Sequence, residues 1–101
     1  MLYKTKPILI EKIWGGSRLK DYNKIFTGNL GESIEYSGES EGIPITIKLI
    51  DAKDNLSIQI HPDENVAKTL GDGYRGKDEF WIVLESNKGS EIYYGFNKIY
   101  N

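Results

Sequence analysis

The sequence predicts a mainly β fold, an antiparallel sandwich or barrel carrying one or two short helices. Two observations predict it. Short runs rich in Ile, Val and aromatic residues recur at 34–36, 43–50, 56–61, 79–84 and 91–96. Turn-forming segments rich in Gly, Asn, Asp and Ser separate them, as they separate antiparallel strands.

Taken in order, Pro7-Ile8-Leu9-Ile10 is an apolar run closed by Glu11, too short for the core of a secretory signal. Trp14-Gly15-Gly16 holds too much glycine for a regular strand or helix. The glycine pair suits either a close backbone approach or an ordinary tight turn. No Gly-Lys-Ser or Gly-Lys-Thr follows it, so it is not a phosphate loop. Ser17 to Tyr22 predicts a short helix with Ser17 as its N-cap.

Ile34-Glu35-Tyr36 and Ile43 to Ile50 read as strands, joined by the turn-rich Ser37-Gly38-Glu39-Ser40-Glu41-Gly42. After Lys53-Asp54-Asn55, the run Leu56 to His61 alternates apolar and polar residues. A period of two puts Ser57, Gln59 and His61 on one face and Leu56, Ile58 and Ile60 on the other. A second helix is expected from Pro62, a residue suited to the first helical position. Asp63 and Glu64 favour the positive end of its dipole, Val66 and Leu70 share a face, and Gly71 ends it. Strands at Glu79 to Leu84 and Glu91 to Phe96, parted by Ser86-Asn87-Lys88-Gly89-Ser90, complete the pattern. There is no internal repeat.

The 101 residues predict one domain, 1–101, large enough to bury a core. A net charge of −2 with scattered Lys and Arg argues against nucleic-acid binding, which needs a basic stripe. The absence of cysteine excludes disulfides, thiolate nucleophiles and cysteine-bound zinc, and suits a reducing compartment. No segment approaches the roughly 20 apolar residues that span a bilayer. The expectation is a cytoplasmic protein with no membrane partner.

The chemistry-bearing residues cluster in two stretches, Leu56 to Pro62 and Gly76 to Trp81. His61 is the single histidine of the chain, and taken alone it is well explained as a hydrogen-bonded structural residue. Its company changes that. Gln59 shares its face, and a second strand starting near Lys77 can bring Glu79 alongside. An inward Gln and His need a polar interior, and such an interior has to be satisfied. An amide oxygen, an imidazole and one carboxylate would leave a divalent ion with residual positive charge and an open position, as a catalytic site requires. The pattern does not name the metal. Lys77 reads either as a solvated turn lysine or as a pocket cation for an anionic substrate oxygen. Lys48, inside the apolar Ile45 to Ile50, points outward from an edge strand or toward a pocket. Ser57 reads either as a plain serine on the strand surface or as a donor to a substrate hydroxyl or phosphate.

These motifs resemble the type I mannose-6-phosphate isomerases, zinc enzymes of the cupin superfamily. Leu-Ser-Ile-Gln-Ile-His-Pro-Asp at 56–63 and Gly-Lys-Asp-Glu-Phe-Trp at 76–81 carry the likeness. Glu11 to Gly16, Gly31-Glu32-Ser33, Ile45 to Ala52 and Ile92 to Phe96 support it, so that it runs from about Pro7 to Phe96. The resemblance implies an incomplete cupin-like jelly roll, the amino-terminal portion of the catalytic domain. It implies that Gln59, His61 and Glu79 are ligands of one Zn2+ per chain. It further implies that Lys77, Ser57 and, as a weaker candidate, Lys48 line the pocket for mannose 6-phosphate. The family interconverts this sugar phosphate and fructose 6-phosphate by moving a proton between C1 and C2 through an enediol-like intermediate.

The family also departs from this chain. Its members are considerably longer and carry a further zinc-binding histidine and a catalytic arginine beyond the part that this chain resembles, and Ile34 stands where the family often has tryptophan. The expectation is therefore an isomerase fragment with little activity alone. The alternative is a non-catalytic metal- or sugar-binding cupin module. Its open sheet edges would pair with a second copy, giving a homodimer, or with a complementing second fragment.

Overall fold

The computed structural model describes residues 2–99. They form two compact units, one reaching Gln59 and one starting at Ile60. The amino-terminal unit is an antiparallel sheet of three strands in the order β1 (Ile8–Gly16), β2 (Leu30–Ser37), β3 (Thr46–Ile50). Short 3-10 helices at Arg18–Tyr22 and Glu39–Glu41 fill the connections. The carboxy-terminal unit holds one α-helix, α1 (Glu64–Thr69). The chain is thus mainly antiparallel β with a few short helices, consistent with an incomplete cupin-like fold.

Both β-branched runs in the middle of the chain became strands. Ile34-Glu35-Tyr36 lies inside β2, whose partners on β3 run from Glu32 opposite Ile50 to Ser37 opposite Thr46, with a bulge between Ile34 and Tyr36. The strand expected over 43–50 starts only at Thr46. Pro44 has no N–H to give a ladder, and around it Ile45 N–H donates to the Ile43 carbonyl at 2.8 Å, which makes a turn.

Trp14-Gly15-Gly16 is the end of β1, against the expectation that it is too glycine-rich for a strand. Of the two explanations for the glycines, close approach holds. A Cβ on Gly15 would stand 2.6 Å from both the Asn29 carbonyl oxygen and the Gly31 nitrogen. One on Gly31 would stand 2.5 Å from Lys12 Cβ and 2.9 Å from the Trp14 ring. The irregular register, in which Glu11 and Gly16 both face Leu30, lets the strand bend over this contact. Trp14, Leu19 and Leu30 are buried there as the apolar core of the unit.

The helix predicted after Ser17 is present as the 3-10 turn Arg18–Tyr22, but Ser17 makes no side-chain cap bond. Asp51, just past β3, supplies the acceptor instead: its Oδ2 takes the Arg18 N–H at 2.7 Å. Gly16 leaves room for that carboxylate, since a Cβ would lie 2.4 Å from Oδ2.

Ser33 is fully buried on β2 and donates to Glu35 Oε1 at 2.6 Å, while Lys24 Nζ donates to Glu35 Oε2 at 2.9 Å. Burial pushes the Glu35 carboxyl up, but the Ser33 and Lys24 hydrogen bonds and the Lys24 charge outweigh it and hold it below the usual carboxylate range. A group with a depressed folded pKa contributes stability above its unfolded pKa and loses it as the pH falls through the folded value. Glu35→Gln is therefore expected to cost about 1 kcal/mol at neutral pH, and to flatten the acid limb of stability. Urea unfolding followed from neutral pH down past the ordinary glutamate pKa checks both; a parallel acid limb in the variant would contradict this role.

Three expected strands, at 56–61, 79–84 and 91–96, form no ladder among the described residues. Alternation sets which side chains share a face, but a strand also needs a partner for its backbone. The side-chain period survives without the ladder, as the hydrogen bonds from Gln59 to Ser57 and from Trp81 to Glu79 show. Pro62 precedes the helix instead of opening it. Asp63 is the N-cap, accepting the Val66 N–H at 2.8 Å, and Glu64 is the first helical residue. Ala67 is the helix residue that is buried, while Val66 and Leu70 stay half exposed. Gly71, at φ +125°, follows the C-cap Leu70 as expected.

Candidate metal centre

In the carboxy-terminal unit, the start of α1 brings the two sequence motifs together. The Lys77 N–H donates to the Pro62 carbonyl at 3.1 Å, and the Gly76 N–H donates to Glu64 Oε2 at 2.9 Å. Gly76 makes this approach sterically accessible, because a Cβ there would stand 2.5 Å from the Glu64 nitrogen. His61, next to Pro62, thereby faces the residues that follow Lys77.

Three side chains converge on the Glu79 carboxylate. Lys77 Nζ lies 3.0 Å from Oε2, His61 Nε2 lies 3.7 Å from the same oxygen, and the Trp81 indole N–H donates to Oε1. Hydrogen bonds from Trp81 and Lys77 hold the Glu79 carboxyl below the usual carboxylate range, against burial that pushes it up. The charge of Lys77 adds to the lowering. The group is a carboxylate at neutral pH, as a metal ligand must be.

The spacing fits a shared cation. Two donors about 2.0–2.1 Å from a tetrahedral ion stand roughly 3.3 Å apart, close to the 3.7 Å between His61 Nε2 and Glu79 Oε2. That separation is too long for a hydrogen bond. An imidazole nitrogen and a carboxylate oxygen are both ordinary zinc donors.

The other expected site residues lie in the amino-terminal unit. Gln59 Nε2 donates to Ser57 Oγ at 2.9 Å, leaving Oε1 as the amide atom with the chemistry to meet a hard cation. Lys48 Nζ pairs with Glu32 Oε2 at 3.2 Å, across the β2–β3 ladder. This pairing explains how a lysine sits in an otherwise apolar strand.

A family model described as phosphomannose isomerase type I, catalytic domain, matches residues 19–92. The chain belongs to this family. Mannose-6-phosphate isomerase ManA of Bacillus subtilis is 29% identical to it over 91% of this chain and 40% of the relative. The mannose-6-phosphate isomerase of Streptococcus mutans is 41% identical over 58% of this chain and 18% of the relative. The probable mannose-6-phosphate isomerase GmuF of Bacillus subtilis is 38% identical over 52% of this chain and 16% of the relative. The chain therefore spans 40% or less of the length of these relatives. No solved structure matches it at a comparable level of significance. Among the described residues, no helix is long and apolar enough to cross a membrane.

Two residues escaped the reading of the sequence. Trp81 carries the indole that bonds Glu79, and the alternation Lys77, Glu79, Trp81 was the available signal. Glu32 carries the charge that meets Lys48, and only the register of β2 against β3 reveals it.

Proposed function

We propose that the chain carries the metal-bearing part of a mannose-6-phosphate isomerase, a cytoplasmic enzyme of sugar-phosphate metabolism. The observation that supports it is the convergence of His61 and Lys77 on one Glu79 carboxylate oxygen, in a chain of this family. Gln59, His61 and Glu79 would hold one zinc ion. When bound, zinc supplies Lewis-acid chemistry, polarising sugar oxygens beside the carbons that exchange a proton.

The rest falls to the chain's own side chains. The Lys77 ammonium steadies an anionic oxygen of the sugar phosphate near the carboxylate it already contacts. The Ser57 hydroxyl hydrogen-bonds a substrate hydroxyl or phosphate oxygen while holding the Gln59 amide in place. Lys48 adds positive charge whose direction Glu32 constrains. The further zinc-binding histidine expected of the family is not among these residues, since His61 is the single histidine of the sequence.

A coupled assay for mannose 6-phosphate to fructose 6-phosphate tests this. The 101-residue chain with zinc is expected to turn over little. Mixing it with a polypeptide carrying the remaining family sequence is expected to raise turnover, and Glu79→Gln to remove the gain. No gain in the mixture contradicts the isomerase reading. Zinc bound without turnover in any mixture would favour a second one, a non-catalytic module that pairs through its sheet edges. That reading draws on β1 and β3 being the outer strands of the sheet, with Ile47 and Ile50 exposed along β3.

A further inference from the structure

Glu79 is gripped from two sides, and the two grips differ in kind. Lys77 brings a mobile ammonium to Oε2, the oxygen that His61 also faces. The Trp81 indole N–H engages Oε1. An indole nitrogen donates and accepts nothing, so it neither coordinates a cation nor titrates. Its one available action is to fix the oxygen it touches. Residues 77, 79 and 81 put their side chains on one side at a spacing of two, so the indole reaches the carboxylate from its own neighbour along the chain.

A carboxylate free to rotate about its last bond offers a cation one oxygen or both. With Oε1 bonded to the indole and Oε2 turned toward His61, it offers one. We propose that Trp81 is a positioning residue that holds Glu79 as a one-oxygen ligand for a divalent cation shared with His61. This rests on the metal reading above. Trp81 is about half exposed, at 53%, so its ring is not a core anchor whose loss would unfold the unit.

The test is zinc affinity of the full chain, measured by competition with a chromophoric chelator. It compares the parent, Trp81→Phe, and a chain with benzothienylalanine at position 81, which keeps the indole's shape and replaces its N–H with sulfur. Loss of an outer partner of a metal ligand typically costs about 10–100-fold in metal affinity. Both altered chains are expected to bind zinc at least about tenfold more weakly. With cobalt(II) in place of zinc, both should show weaker visible absorption bands, because a released carboxylate binds through two oxygens and raises the coordination number. Parent-like affinity and spectrum in both chains would overturn the proposal. So would a parent-like benzothienylalanine chain beside a weakened Trp81→Phe, since that pattern belongs to ring packing and not to the N–H. A parent chain that takes up no zinc would instead overturn the metal reading itself, and this inference with it.

Discussion

Gly15→Ala is expected to melt the amino-terminal sheet well below the parent. The added methyl would meet backbone, the Asn29 carbonyl oxygen and the Gly31 nitrogen at 2.6 Å and the Leu30 carbonyl carbon at 2.8 Å, and backbone of a central strand does not swing aside as a side chain does. Separating β1 from β2 by enough to clear the clash would open the contact over Trp14 and Leu30. Overpacking of this kind costs about 3 kcal/mol, a large part of the roughly 5–15 kcal/mol that stabilises a typical domain. For a chain this short, that lowers the melting temperature by roughly 10–20 °C. Gly42→Ala is the control: its Cβ meets nothing within 4 Å, and only its φ of +74° opposes the change. Circular dichroism melts of the two variants should separate clearly. A Gly15→Ala chain melting with or above Gly42→Ala would remove the close approach as the reason for this glycine.

Gly76→Ala is expected to weaken metal binding about tenfold or more while every proposed ligand stays in the chain. A Cβ at position 76 would lie 2.5 Å from the Glu64 nitrogen and 2.9 Å from the Asp63 carbonyl carbon, again backbone. The 76–79 segment must then move off the start of α1, stretching the Lys77 N–H bond to Pro62 and widening the 3.7 Å between His61 and Glu79. Gly73→Ala carries a backbone strain of its own, at φ +91°, but its Cβ meets nothing within 4 Å. Zinc competition titrations of the two variants decide the matter: equal affinities would show that Gly76 does not hold the motifs together.

Both effects come from contacts between segments, and that is also where the sequence stops being legible. β2 and β3 were visible because β-branched runs need no partner to be recognised. β1 was hidden because Gly15 and Gly16 weaken a strand locally, while the contact that requires them lies on β2. Ser17 looked like a cap because caps are sought nearby, and the acceptor came from Asp51 across the sheet. In the site, the pairing of His61 with Glu79 was foreseen from the two motifs, and the carboxylate stands within reach of the imidazole. Trp81 was not foreseen, since an aromatic in an apolar run reads as core until its N–H is seen on a carboxylate.

Zinc content after exhaustive dialysis, by elemental mass spectrometry, tests the cation site most directly. The unaltered chain should retain one ion per molecule, and Gln59→Ala, His61→Ala and Glu79→Ala should each retain markedly less. Zinc absent from the parent, or equal in all four proteins, would mean that these donors serve no metal.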